Sequence, residues 1–179
     1  MSPDIDALLS SLEKRSLNSV LFNLAHAYAR ASDKSWSAIF SENDADFMAP
    51  AIMCQSFAVE LLLKFFIIID HPDAQTKADL DALGINTYGH PYSKLWDRIA
   101  STHKKNIAES FSSISGQRTN EAKFREILVQ IGDEPFVFWR YIYEKNGTHS
   151  FDKPLFDKVT DAIGKTAESE RKRVSGHKS

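Results

Sequence analysis

The sequence predicts an all-α protein, an up-and-down bundle of about five to seven helices, and three observations carry that prediction. Glycine and proline are scarce, 7 and 6 in 179 residues, well below average usage, which disfavours turn-dense all-β sandwiches and barrels. Apolar residues recur at three-and-four spacing along several stretches, the period of one helix face. Prolines at 50, 91, 135 and 154 stand at the head of apolar runs, where a first-turn proline sacrifices no hydrogen bond.

Each element follows from local chemistry. Asp4 caps a short first helix over residues 4–14. Leu17, Val20, Leu21, Leu24, Tyr28 and Ala31 form one face of a second, long amphipathic helix. Pro50 opens a helix over residues 49–70 that is apolar nearly all round, so other helices must cover it. Its polar residues Glu60 and Lys64, spaced i,i+4, are either the solvent edge of that helix or a buried pair. His71-Pro72 ends it, and residues 73–89 read as a loop with one helical turn. Pro91 starts the next helix with Leu95, Trp96 and Ile99 inside. Ile107 and Phe111 belong to a short successor that breaks at residues 112–117. Thr119 or Asn120 caps a helix carrying Phe124, Ile127, Leu128 and Ile131. Residues 136–143 are almost all aromatic or aliphatic, and Pro135 favours helix there. That geometry stacks Arg140 over Glu144. Pro154 opens the last helix, with Leu155, Phe156, Val159 and Ile163 inside.

The organisation expected is one domain over residues 1–165 and a basic, flexible tail over 166–179. A net charge of −2 leaves no global positive field to gather nucleic acid, so any such contact needs a local patch. Cys54 is the single cysteine, which excludes internal disulfides and cysteine-rich zinc sites; in its apolar setting it reads as a buried, inert thiol. The start lacks a basic segment followed by an uninterrupted apolar one, as a secretory signal requires. The apolar run 57–69 is shorter than the roughly 20 residues a membrane span needs, so a cytoplasmic chain is expected. Phosphate-cradling glycine loops, the Gly-x-Ser-x-Gly elbow and the His-Glu-x-x-His pair are all missing from the sequence. No cofactor and no metal is expected.

Three segments in order, Ser56-Phe-Ala-Val-Glu-Leu-Leu-Leu-Lys64, Gly89-His-Pro-Tyr-Ser-Lys-Leu-Trp96 and Phe138-Trp-Arg-Tyr-Ile-Tyr-Glu144, resemble the signature segments of HEPN-like helical domains. The resemblance spans residues 16–165. It implies a bundle that dimerises through its long helices, and many members are prokaryotic toxins, abortive-infection proteins or partners of small nucleotidyltransferases. Catalytic members carry an arginine followed after four to six residues by a histidine, which together make a metal-independent ribonuclease at the dimer cleft. Here eight residues separate Arg140 from His149, a departure from that pattern. The pairs Arg98/His103 and Arg171/His177 have the spacing, which also arises by chance in a chain with 6 histidines.

The candidate catalytic group is therefore Arg140, Glu144 and His149, with Tyr143 beside them as an RNA contact; the alternative for Arg140 and Glu144 is a structural ion pair. Arg171, Lys172 and Arg173 of the tail are the other candidate RNA contacts. His90, ahead of a helix N-terminus, reads as a structural hydrogen-bonding residue. Phe136, Phe138, Trp139, Tyr141 and Tyr143 could stack bases, though a stripe at that spacing is more commonly core. The expected function is an RNA-linked role, binding or processing, in phage defence or a toxin-antitoxin system. Alternatives are an active dimeric endoribonuclease and a non-enzymatic interaction module. Expected partners are RNA, a nucleotidyltransferase-type or other protein, and a second copy of the chain.

Overall fold

The structure is a computed structural model and describes residues 15–144 and 150–176, except for the side chains of Tyr143 and Ser175. The helix expected over 4–14 lies outside the described residues. The chain is 77% helical, with no strand among the described residues. In chain order the helices are α1 (Leu17–Glu42), a 3-10 turn (Ala45–Phe47), α2 (Met48–Ile68), α3 (Lys77–Ala82), α4 (Tyr92–Arg98), α5 (Ser101–Ser115), α6 (Glu121–Gln130), α7 (Pro135–Arg140), a 3-10 turn (Ile142–Glu144) and α8 (Lys153–Gly176).

The apolar helix expected around Pro50 is the centre of the bundle. α1, α4, α7 and α8 all pack on α2. With the preceding turn it makes a stretch, Ala45–Ile68, long and apolar enough on length and composition to cross a membrane; 78% of its most apolar window is buried inside the bundle. That length exceeds the 13-residue apolar run visible in the sequence, because Pro50 lets the helix start earlier. Around it lie the fully buried Phe65, Phe66, Tyr92, Trp96, Phe111, Phe124 and Phe156. Rings of α4, α5 and α6 meet at Phe124, 5.0 Å from Trp96 and 5.3 Å from Phe111 between centroids.

The inward face of α1 is shifted from the one its periodicity predicts: Leu17 and Leu21 pack against the core as expected, but its centre moves. Phe22, Ala25 and Ser32 are buried, whereas Leu24 and Tyr28 are exposed. The inward residues are mostly small, which lets the backbones of α1 and α2 approach until Ser32 Oγ donates to the Ala51 carbonyl at 2.8 Å. Phe22 fills the end of the seam against Phe65 at 5.5 Å.

The remaining elements follow the expected punctuation. α3 is the single turn expected in the 73–89 loop, closed by a capping box in which Thr76 and Asp79 satisfy each other's backbone N–H. Asn120 caps α6 by accepting from the Lys123 N–H at 2.8 Å. α5 is longer than expected at 15 residues and ends on Gly116, whose φ of 72° suits glycine. α8 runs on through the boundary expected at residue 165, where a flexible tail was anticipated. Ala162, Ile163, Thr166, Ala167 and Glu170 keep one face buried, and that face packs on α5. Cys54 is half-buried, and burial pushes its thiol pKa up.

Candidate nucleic-acid interface

α1 and α8 both lie on α2 and pack far less on each other, so a groove runs between them. At one end a cavity of about 450 Å³ is lined from α1 by Phe22, Asn23, His26 and Arg30 and from α8 by Glu168, Arg171 and Lys172. The α1 residues share a face because 22, 26 and 30 are one turn apart. On α8 the docked helix, continuing past residue 165, brings Arg171 and Lys172 to the same place. Arg171 is held flat: its Nη1 donates to Asn23 Oδ1 at 3.1 Å and its Cζ lies 4.4 Å from the Phe22 ring centroid. Stacking on an aromatic face leaves the rest of the guanidinium fork free to donate.

The cavity carries three cations, Arg30, Arg171 and Lys172, against one carboxylate, Glu168. Some exposed cations elsewhere are matched to carboxylates, as in Lys77–Asp81 at 2.6 Å, Lys123–Glu126 at 3.0 Å and Arg125–Asp97 at 2.8 Å, while Lys34, Lys94, Arg118 and Lys158 stand singly on the surface among the described residues; what distinguishes the cavity is that three unpaired cations share it. Among the described residues no ion pair engages Arg30, Arg171 or Lys172. His26 sits between them with Nε2 buried and without a hydrogen-bond partner. Burial lowers its pKa, Glu168 opposes that shift, and Arg30 and Arg171 reinforce it. An imidazole so placed is held toward its neutral form.

Of the three tail residues expected to contact RNA, Arg171 and Lys172 line the groove and Arg173 does not. Arg173 Nε donates to Glu170 at 2.8 Å, and Glu170 also accepts from Asn106 of α5 at 2.9 Å. His26 and Arg30 were missed by sequence reasoning. Their i,i+4 spacing on a helix was the available signal, hidden because the apolar pattern centred the inward face of α1 elsewhere.

Arg140 and Glu144 do not form the helical i,i+4 pair expected of them. α7 ends at Arg140, and Tyr141 leaves the helix with φ −113° and ψ 26°, its N–H turning back to the Phe138 carbonyl at 3.2 Å. The buried Trp139 ring, edge-on to Phe151 at 6.0 Å, anchors the chain at this bend. The helical i,i+4 register is lost, and no ion pair joins Arg140 to Glu144, both of which are exposed. Arg140 instead lies over the Tyr141 ring at 5.4 Å. His149 and the Tyr143 side chain lie outside the described residues. The aromatic stripe is divided: Phe136 stacks on Phe57 at 5.0 Å, Trp139 is core, and Tyr141 is exposed.

The spaced pair Arg98/His103 serves the scaffold. Arg98 donates to the Tyr88 carbonyl at 2.5 Å, while His103 is buried in α5 with Nε2 3.0 Å from Asp70 Oδ2. His177, the partner of Arg171 in the second pair, lies outside the described residues. Glu60 and Lys64 form the buried alternative: Glu60 is 1% exposed, and it meets Lys64 Nζ at 2.7 Å and His90 Nδ1 at 3.0 Å. His90 thus ties the loop before α4 to the core helix, the structural role its position predicts.

A second cavity, about 550 Å³, opens beside Trp139 and carries Asp133, Glu134 and Asp152 with no lysine or arginine among its lining; its charge repels phosphate. No cluster of metal-ligating side chains occurs among the described residues. Comparison with protein families, curated proteins and solved structures returns no match to the chain.

Proposed function

We propose that the chain is an HEPN-like, RNA-binding helical protein of a prokaryotic defence or toxin-antitoxin system, acting as a cytoplasmic homodimer, and that the α1/α8 groove is where it holds RNA phosphates. The observation that carries this reading is the convergence of Arg30, Arg171 and Lys172, none of them in an ion pair among the described residues, with the single carboxylate Glu168 in one cavity of a protein whose net charge is −2. A net excess of two positive charges in one groove favours a polyanion. The helical order agrees with the HEPN-like assignment, since the first two signature segments fall on α2 and on the entry to α4, and the third straddles the end of α7 and the following 3-10 turn. Binding is favoured over cleavage because Arg140 and Glu144 do not come together.

The test is retention of a mixed-sequence RNA by the purified protein in EDTA, beside a variant carrying Arg30→Gln, Arg171→Gln and Lys172→Gln, with the RNA then sized on a gel. Retention by the wild type, its loss in the variant and intact RNA throughout are expected. Equal retention by both proteins overturns the groove assignment. Cleavage that disappears in an Arg140→Ala, His149→Ala variant would replace binding with the endoribonuclease reading.

A further inference from the structure

The groove has a second half with a different character. Beyond His26 and Glu168, which line both halves, lies a cavity of about 280 Å³ walled by Ala25, Ala29, Leu62 and Gly164. Its polar groups are Thr160, Asp161 and Lys165. Asp161 and Glu168 have no hydrogen bond or ion pair among the described residues. The groove is therefore polarised: three free cations at the α8 C-terminal end, Asp161 with Lys165 at the other, and Glu168 shared between them. Alanine and glycine walls over Leu62 leave room for a flat or apolar group. The two carboxylates that border this half accept hydrogen bonds from neutral hydroxyls and repel a second phosphate.

Resting on the RNA reading above, we infer that the groove takes a ribonucleotide presenting a 5′-phosphate and a free 2′,3′-diol, as at the 3′ end of an RNA strand. The phosphate lies with Arg30, Arg171 and Lys172, and the ribose diol donates to Glu168 and Asp161. The base rests against the alanine and glycine wall. Bidentate guanidinium contacts suit the phosphate, and a carboxylate accepting from ribose hydroxyls is the usual means of recognising that sugar. An internal nucleotide fits poorly, because its 3′-phosphate would lie against the two carboxylates. A 3′-phosphorylated end meets the same repulsion.

The experiment measures fluorescence anisotropy of one labelled sequence in four forms: linear with a 3′-terminal diol, linear with a 2′,3′-dideoxy end, linear with a 3′-phosphate, and circular. A mixture of the four ribonucleoside 5′-monophosphates serves as competitor, to distinguish a free nucleotide from an RNA end. The diol form is expected to bind about tenfold more tightly than the others, the loss expected when one well-formed set of polar contacts goes unmade. In a Glu168→Gln, Asp161→Asn variant that ratio should fall to about one while binding itself persists, a pattern that loss of fold would not give. Displacement of the RNA by monophosphates at micromolar concentration identifies the free nucleotide as the source; no displacement identifies the strand end. Circular RNA bound as tightly as the diol form overturns the end recognition and leaves the RNA reading standing. No binding of any form overturns both.

Discussion

Raising the salt concentration measures how many phosphates the groove engages. Each phosphate neutralised on a single strand contributes about −0.7 to the slope of log affinity against log salt. Three free cations, Arg30, Arg171 and Lys172, predict a slope of about −2, so affinity should fall about 20-fold between about 50 and about 200 mM salt. Removing one cation by Lys172→Gln leaves two contacts, a slope of about −1.4, and a fall of about sevenfold over the same range. Lys172 is the informative position because it makes no internal hydrogen bond or ion pair among the described residues, whereas Arg171 is also tied to Asn23 and Phe22. The assay is anisotropy of a labelled single-stranded RNA titrated at four salt concentrations. Lys105→Gln on α5, which breaks only the exposed contact to Glu109 at 3.9 Å, is the control. A slope unchanged by Lys172→Gln, or reduced equally by Lys105→Gln, would refute the groove as the phosphate site.

Glu60→Gln should destabilise the fold by about 2 kcal/mol, since a buried carboxylate loses two charge-assisted contacts while Lys64 and His90 regain water; urea unfolding followed by circular dichroism reads it. Phe111→Ala, which empties a fully buried site against Phe124, should lose about 3–5 kcal/mol in the same assay. Gly116→Ala forces a side chain into positive φ at the end of α5 and should lose about 1 kcal/mol. His26 has a folded pKa below its unfolded value, so the unfolded chain takes up the proton first. The stability from its neutral form is complete above about pH 6.5 and is lost as pH falls below that value. Unfolding midpoints measured from pH 7.5 to 5 should fall more steeply for the wild type than for His26→Gln, and parallel curves would contradict this.

The strongest sequence signals were those with a single physical meaning. A proline ahead of an apolar run placed the starts of α2, α4, α7 and α8 within a residue or two, and Asn120 announced the α6 cap. α1 shows the limit: it carries two neighbouring apolar faces, and the choice between them depends on how closely Ala25 and Ser32 let it approach α2. Helix–helix distance is a property of two segments, invisible in one. The docked end of α8 was hidden for a related reason, because Ala162, Thr166, Ala167 and Glu170 are small or polar and read as surface until α5 covers them. At the site, Arg171 and Lys172 were legible as a basic run, whereas their companions His26 and Arg30 lie about 140 residues away in sequence and meet them only through the fold. The Arg140–Glu144 register failed because a local aromatic anchor, Trp139, outweighed helical periodicity.

The contact between Glu60, Lys64 and His90 also bears on where the newly made chain can go. On length and composition the Ala45–Ile68 stretch could be accepted by a bilayer, and Glu60 and Lys64, one turn apart, are the ionic groups inside its apolar part, Asp46 standing at its edge. A lysine at the middle of a membrane helix costs about 3 kcal/mol to insert, and acidic residues are similarly disfavoured. Within the bundle the same two groups are satisfied by each other and by a histidine delivered from a loop made 30 residues later. The core helix is thereby written in nearly the composition of a membrane span while carrying a buried polar mark whose third partner, His90, only the folded bundle supplies.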